Sequence, residues 1–166
     1  MAREERGKRI IIIRHLAAKL QREEKPEDDR YYIDEAGEGV CDGSVERLIF
    51  HGVDPEKAVI LYAEAFPRAS LTGIMFSEKT GIRRVVTGGN CDFYDKRVGE
   101  KGSLTLAQKE VRVHHESVDD IIIICHSDFI AAFPSYVLKD QSIPVCELEN
   151  GHGCVINLTK KTVEPL

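Results

Sequence analysis

Five runs of the chain are apolar and rich in β-branched residues: RIIII (9–13), AVILYA (58–63), RRVVT (83–87), DIIIIC (120–125) and GCVINL (153–158). The first, second and fourth are continuously apolar rather than alternating, which is the pattern of strands covered on both faces, as in parallel sheets. Between them the apolar spacing lengthens to that of helices. EAGEGVCDGSVERLIFHG places Val40, Cys41, Val45, Leu48 and Ile49 on one stripe, with Gly39 and Gly43 each costing about 1 kcal/mol relative to alanine. FPRASLTGIMFSEKTG opens with Pro67 at the first helical position and closes at Gly81 after Lys79, a start and a stop signal in the right order. SLTLAQKEVRVHHES predicts a third helix, and HSDFIAAFPSYVL a fourth, capped by Ser127 or Asp128 and broken or kinked at Pro134. Strands alternating with helices of this length predict βαβ units and a three-layer αβα sandwich with a mostly parallel central sheet. QREEKPEDDRYY (21–32) follows neither period and reads as a solvated loop.

Length and charge narrow the function classes. A chain of 166 residues corresponds to one domain, 1–166, with one core. Its formal net charge of −5 argues against a nucleic-acid surface, which needs Lys and Arg in excess on one face. An anionic ligand would therefore depend on local positive charge. The charged opening MAREERGKR precedes only four isoleucines, too few for a signal peptide or a membrane span, so a cytoplasmic protein without membrane contact is expected. Five cysteines, Cys41, Cys91, Cys125, Cys146 and Cys154, form no CxxC pair and are read as reduced, buried thiols rather than a disulfide framework or zinc ribbon.

The chemistry gathers at strand ends. In open α/β sheets ligands bind beyond the carboxyl ends of the strands. There the first apolar run delivers Arg14 and His15, the fourth delivers His126, and the second leads through YAEAFP to Arg68 in the first turn of a helix. Guanidinium forks suit the equatorial oxygens of a phosphoryl group, a helix N-terminus adds amide donors, and a neutral imidazole can attack phosphorus. Two arginines and two histidines converging on one crevice therefore point to metal-free phosphoryl chemistry with no cofactor.

These segments resemble the histidine phosphatase superfamily, the phosphoglycerate mutase-like fold, in a small form similar to the phosphohistidine phosphatases. IIIIRHLAA looks like the RHG or RHxxA strand end, IDEAGEGV like the LTxxGxxQ helix start, and ILYAEAFPRASLTG like VxxSxxxRAxxTA; IIIICHSDFIAAF resembles VxxHxxxI, and LENGHGCVINL the closing Asn-containing strand. The five occur in the family's order. The resemblance implies His15 as the phosphorylated nucleophile, Arg14 and Arg68 as phosphate clamps, and His126 as the second histidine on the transferring oxygens. It implies a phosphatase acting on a phosphorylated protein, phosphohistidine included, or on a small phosphomonoester. Mutase activity fits less well, because so short a chain leaves little room for the insertions that enclose a bisphosphorylated intermediate.

Departures accompany the likeness, among them the residue after the second histidine's helix cap, which differs from the common GG. Leu16 stands where the family has glycine and is expected to tighten the space around the phosphate, and Ala63 or Glu64 replaces the serine of the arginine segment. The general acid falls in GGNCDFYDKRVGE, where Asp92 is the best-placed carboxylate, with Asp95 and Glu100 behind it. A second reading keeps the pocket and loses the chemistry: a catalytically degenerate phosphate-binding or regulatory module. His114 and His115, adjacent on one element, diverge too far to share a metal and are expected on the surface, and His152 is read as a turn residue.

Overall fold

The computed structural model describes residues 7–21, 30–62, 66–87, 99–144 and 149–166. Their main sheet contains β1 (Arg9–Arg14), β4 (Ala58–Tyr62), β5 (Val85–Thr87), β6 (Asp120–Cys125), β7 (Gly153–Asn157) and β8 (Thr162–Pro165), in the order β5-β4-β6-β1-β7-β8. The first four strands in that order run parallel, while β7 and β8 pair antiparallel at one side. A separate ribbon joins β2 (Lys19–Leu20) to β3 (Tyr31–Tyr32). The helices are α1 (Glu35–Phe50), α2 (Pro67–Thr80), α3 (Gly99–His114) and α4 (Ser127–Leu138).

The uninterrupted isoleucine runs are explained by the two cores they serve. Ile10, Ile12, Ile121 and Ile123 pack with Leu104, Ala107 and Val111 of α3 and Phe129 and Phe133 of α4. Their neighbours Ile11, Ile13, Ile122 and Ile124 point the other way, against Cys41, Val45 and Leu48 of α1 and Ala69 and Phe76 of α2. Alternate side chains of a strand leave opposite faces, so a strand between two helical layers has no position left for a polar residue. The three-layer architecture with a mostly parallel sheet follows from that arrangement.

Local signals place the helix ends. Asp34 caps α1 by accepting from the Gly37 amide at 3.0 Å. Pro67 occupies the first turn of α2, and Gly81 closes it with φ of 77°, a left-handed conformation that glycine adopts without a Cβ clash. Three expectations change. α4 is capped by the extended backbone of His126, not by Ser127 or Asp128, because β6 ends at Cys125 and leaves a single junction residue. Pro134 lies inside α4, which continues to Leu138. On α1, Cys41, Val45 and Leu48 are buried but Val40 and Ile49 are exposed, so the apolar stripe is narrower than its spacing implied.

Of the stretch expected to be a solvated loop, Tyr31 and Tyr32 form β3, and 22–29 lie outside the described residues. Cys41, Cys125 and Cys154 are buried free thiols, whereas Cys91 and Cys146 lie outside the described residues. His114 and His115 are partly buried rather than on the surface. The His115 Nε2 donates to the Arg9 carbonyl at 3.1 Å, the roles being set by an oxygen that can only accept. No described group of three or more His, Cys, Asp or Glu side chains is arranged to hold a metal ion, and no helix among the described residues is long and apolar enough to cross a membrane.

At the amino end of the parallel strands Arg9 and Asp120 form a buried fork, Nε to Oδ1 and Nη2 to Oδ2, each at 2.7 Å, while Nη1 donates to the His51 carbonyl at 2.8 Å. Removing one partner strands the other charge in the interior. Asp120→Ala is expected to destabilise the fold by about 3–5 kcal/mol, whereas the apolar pair Arg9→Met with Asp120→Leu should come within about 1 kcal/mol of the parent or exceed it. Urea unfolding of the two variants measures the difference.

Candidate active site

Register builds the site. Arg14 of β1 is the partner of Cys125 on β6, so the next residue of each strand, His15 and His126, emerges side by side from the carboxyl end of the sheet. Their rings meet edge to face with centroids 4.6 Å apart. The ladder continues one step further, the His15 amide donating to the Cys125 carbonyl at 3.0 Å. His126 is held on its other side by Phe66, whose ring centroid is 4.3 Å away at an interplanar angle of 64°.

Backbone turns fix the His15 ring. Its Nδ1 lies 2.7 Å from the Leu16 carbonyl oxygen. A carbonyl only accepts, so Nδ1 carries the proton and Nε2 is the nitrogen left with a lone pair. The ring is buried. That burial depresses its pKa below the ordinary 6.5; the Leu16 carbonyl opposes the shift by favouring a protonated ring, and His126, Arg68 and Arg14 disfavour a further positive charge. His15 is thus held neutral at physiological pH, in one tautomer, among cationic neighbours.

Arg68 reaches the same place from α2. Thr72, wholly buried, accepts from the Leu16 amide at 2.9 Å and donates to the Arg68 carbonyl at 2.7 Å, tying the turn after β1 to the first turn of α2. The Arg68 guanidinium carbon sits 5.6 Å from the centre of the Tyr31 ring, a cation–π contact worth about 0.5–1 kcal/mol at a partly exposed site. Phe66 and His126 are the N-cap residues of α2 and α4, so both helices begin beside the crevice and direct the positive ends of their dipoles toward an anion there, while the Phe129 amide of α4 donates to the Asp128 carboxylate at 2.9 Å.

Arg14 is anchored by the turn before β7. Its amide donates to the His152 carbonyl and its carbonyl accepts from the Gly151 amide, each at 2.9 Å. Gly151 has φ of 75°, and a Cβ there would meet Val40 at 2.5 Å and Ser44 Oγ at 2.9 Å, so only glycine fits. The Gly151 carbonyl accepts from the buried Ser44 hydroxyl at 2.6 Å and from Arg47 Nη2 at 3.0 Å. Helix α1 therefore holds the turn that holds Arg14.

Of the residues singled out in the sequence, Arg14, His15, Arg68 and His126 are brought to one end of the sheet. Asp92 and Asp95 lie outside the described residues, as do Ala63 and Glu64. Glu100 is exposed in the first turn of α3. Leu16, expected to crowd the phosphate, is wholly buried in the core with Cys41 and Val45, so its bulk fills the interior between sheet and α1. His152 enters β7 from a turn, its carbonyl used by Arg14. Sequence reasoning passed over Thr72, Tyr31, Phe66, Ser44 and Gly151. Thr72 was legible as the threonine of the RAxxT segment; an aromatic pair closing a charged run was the only trace of Tyr31.

No protein-family model matches the sequence, and no curated protein matches it. Solved structures do. A phosphoglycerate mutase from Plasmodium falciparum superposes with a TM-score of 0.58 at 15% identity, covering 96% of this chain and 88% of that one. An alpha-ribazole phosphatase from Shigella flexneri gives 0.61 at 11% identity over 95% and 94% of the two chains. A provisionally assigned phosphohistidine phosphatase from Agrobacterium tumefaciens gives 0.61 at 14% identity over 91% and 92%. The chain has the phosphoglycerate mutase-like α/β fold that these phosphatases and mutase share.

The tautomer and the neutral ring are measurable. Nitrogen-15 NMR should find the proton of His15 on Nδ1 and a titration midpoint below 6.5. Because the folded pKa is the lower one, the unfolded chain binds more protons on acidification. The stability contributed by a neutral His15 is therefore complete above 6.5 and is lost as pH falls through the folded value, at no more than about 1.4 kcal/mol per pH unit. Urea unfolding between pH 7.5 and 4.5 should show a shallower acid slope for His15→Gln than for the parent.

Proposed function

We propose that this chain is a metal-independent phosphatase, folded as one domain over 1–166, that transfers a phosphoryl group to His15 and then to water. The observation that carries the reading is the Nδ1–H bond to the Leu16 carbonyl, which leaves Nε2 as the basic nitrogen beside His126. Nucleophilic catalysis by imidazole requires that tautomer. The fold neighbours, two phosphatases and a mutase, support phosphoryl chemistry in general terms.

In this mechanism the Nε2 lone pair attacks phosphorus while the bond from phosphorus to the leaving oxygen or nitrogen breaks. Arg14, Arg68 and His126 lie on the phosphoryl oxygens and balance their charge, with the Arg68 amide of α2 and the Ser127 and Asp128 amides of α4 adding donors. The leaving atom takes a proton, from Asp92 in the sequence-based assignment. Water then attacks the phosphohistidine, the phosphorus–nitrogen bond breaks toward Nε2, and orthophosphate leaves. A phosphoramidate nitrogen departs more easily than an alkoxide, which favours phosphohistidine or another activated phosphate where the acid is weak. The substrate class is a phosphorylated protein side chain or a small phosphomonoester.

His15→Ala should reduce turnover of an aryl phosphate and of a phosphohistidine protein by at least about a thousandfold, while orthophosphate binding largely survives. Mass spectrometry under non-acidic conditions should find a phosphoryl adduct on His15 that the variant lacks. Phosphate binding with neither adduct nor turnover would establish the degenerate module instead. Arg68→Ala should raise KM and lower kcat together, about 10- to 100-fold in kcat/KM, as expected for a charged hydrogen-bond donor used in ground and transition states. EDTA should leave turnover intact; loss restored by a divalent ion would identify a metal enzyme.

A further inference from the structure

Arg68 is the exposed member of the cationic cluster, and its main chain is better fixed than its side chain. The Thr72 hydroxyl donates to the Arg68 carbonyl at 2.7 Å, which places the root of the side chain and leaves its end free to turn. Ordering an arginine costs as much rotamer freedom as ordering any side chain, so a clamp that must be collected when the anion arrives binds weakly. Among the described residues no carboxylate lies within ion-pair distance of Arg68. The group against its guanidinium is the half-buried Tyr31 ring, with Cζ 5.6 Å from the ring centre.

A ring and a carboxylate hold a guanidinium differently. A carboxylate takes its N–H donors and cancels its charge, the two things an oxyanion needs from it. The face of a ring attracts the cation through its quadrupole, leaving the charge whole and donors for an incoming oxygen. From its place over Tyr31 the Arg68 charge still reaches His15, whose neutral state rests first on burial and then on positive neighbours, Arg68 among them. Tyr31 is itself placed by contacts in which Arg68 has no part. It pairs with Leu20 in the β2–β3 ribbon, and the Gln21 amide donates to the Arg30 carbonyl at 2.8 Å. The base of the ribbon lies on α1: a Cβ at Gly37 would meet Ile33 at 2.5 Å and the Ala17 carbonyl at 3.3 Å, and Lys19 pairs at 2.7 Å with Asp34, the cap of that helix. Ring and guanidinium thus arrive from different elements, and Thr72 ties the base of α2 to the turn from which the ribbon continues.

We infer that Tyr31 is a positioning residue of the phosphate site, holding the Arg68 guanidinium at the crevice before the anion arrives without consuming its charge. It acts through Arg68, not on the substrate. The inference rests on the phosphatase reading only in taking Arg68 as a ligand of the phosphoryl oxygens.

Calorimetry with orthophosphate tests this without turnover. Tyr31→Ile removes the ring and keeps a strand-forming residue in β3, with Tyr31→Leu in its place should that variant fail to fold. Loss of the ring should weaken orthophosphate about three- to tenfold, while Tyr31→Phe, which retains it, should stay within about twofold of the parent. In an Arg68→Ala background the same loss should shrink to within about 1.5-fold, which a general disturbance of the ribbon would not produce. In the unliganded protein the Arg68 side-chain protons should be shifted upfield by the ring and lose that shift in Tyr31→Ile. No weakening on loss of the ring, equal weakening with and without Arg68, or a Tyr31→Phe variant as weak as Tyr31→Ile would overturn the role. Turnover of p-nitrophenyl phosphate by the unmodified protein reports on the phosphatase reading separately. Binding and an intact cycle without turnover would overturn that reading and leave Tyr31 its role; turnover with an additive cycle would do the reverse, and a parent that binds no orthophosphate would overturn both.

Discussion

The alignment of β1 with β6 is the constraint from which the rest of the molecule follows. Both strands carry four consecutive isoleucines, Ile10–Ile13 facing Ile121–Ile124. Slipping one strand by a residue would still set isoleucine against isoleucine and still bury both faces, so apolar patterning, which normally fixes register, is nearly silent here. The ends of the ladder discriminate. Arg9 and Asp120 meet as a bidentate buried pair only in the observed alignment, and any slip would separate them inside the protein. A buried ion pair adds little net stability, yet it penalises every alternative pairing that leaves either charge alone. The same alignment sets His15 beside His126 at the opposite end.

That end is an electrostatic composition as much as a geometry. Cationic side chains brought together repel, and the cluster is tolerable because its members are spread between elements and one of them is kept neutral. Burial and its neighbours disfavour charge on His15, which is also what leaves the Nε2 lone pair unprotonated. Two helix N-termini add partial positive charge without adding side chains. A dianion would resolve all of these at once. The protein's overall negative charge is no obstacle, because fields at such a crevice are set within a few ångströms and more distant charges are screened over about 8 Å at physiological salt.

Much of this was legible in the sequence. Continuous β-branched runs mark the central strands, and their carboxyl ends point to Arg14, His15 and His126. Arg68 was reachable because Pro67 marks a helix start. What stayed hidden depends on contacts between residues far apart in the chain. No local signal tells that Ser44, mid-helix, will hold Gly151, or that Tyr31 will lie under Arg68. The cap of α4 was misread because serine and aspartate are strong cap formers in general, whereas here the strand ends one residue too early for either. The widths of apolar stripes misled in the same way: Val40 and Ile49 share a helical face with buried residues but project past the edge of the layer they approach.

Thr72 carries a consequence for how the chain tolerates change. Leu16 and Thr72 are 56 positions apart in sequence, and the segment between them includes a ribbon, a helix, a strand and residues 22–29. Yet the spacing of the His15 turn and the Arg68 turn is set by two hydrogen bonds through one hydroxyl, at 2.9 and 2.7 Å. Length differences in the intervening segment need not propagate to the site, because the dimension that matters is bridged across the short path rather than transmitted along the long one. Insertions there can reshape the rim of the crevice while the distance between nucleophile and arginine stays as it is.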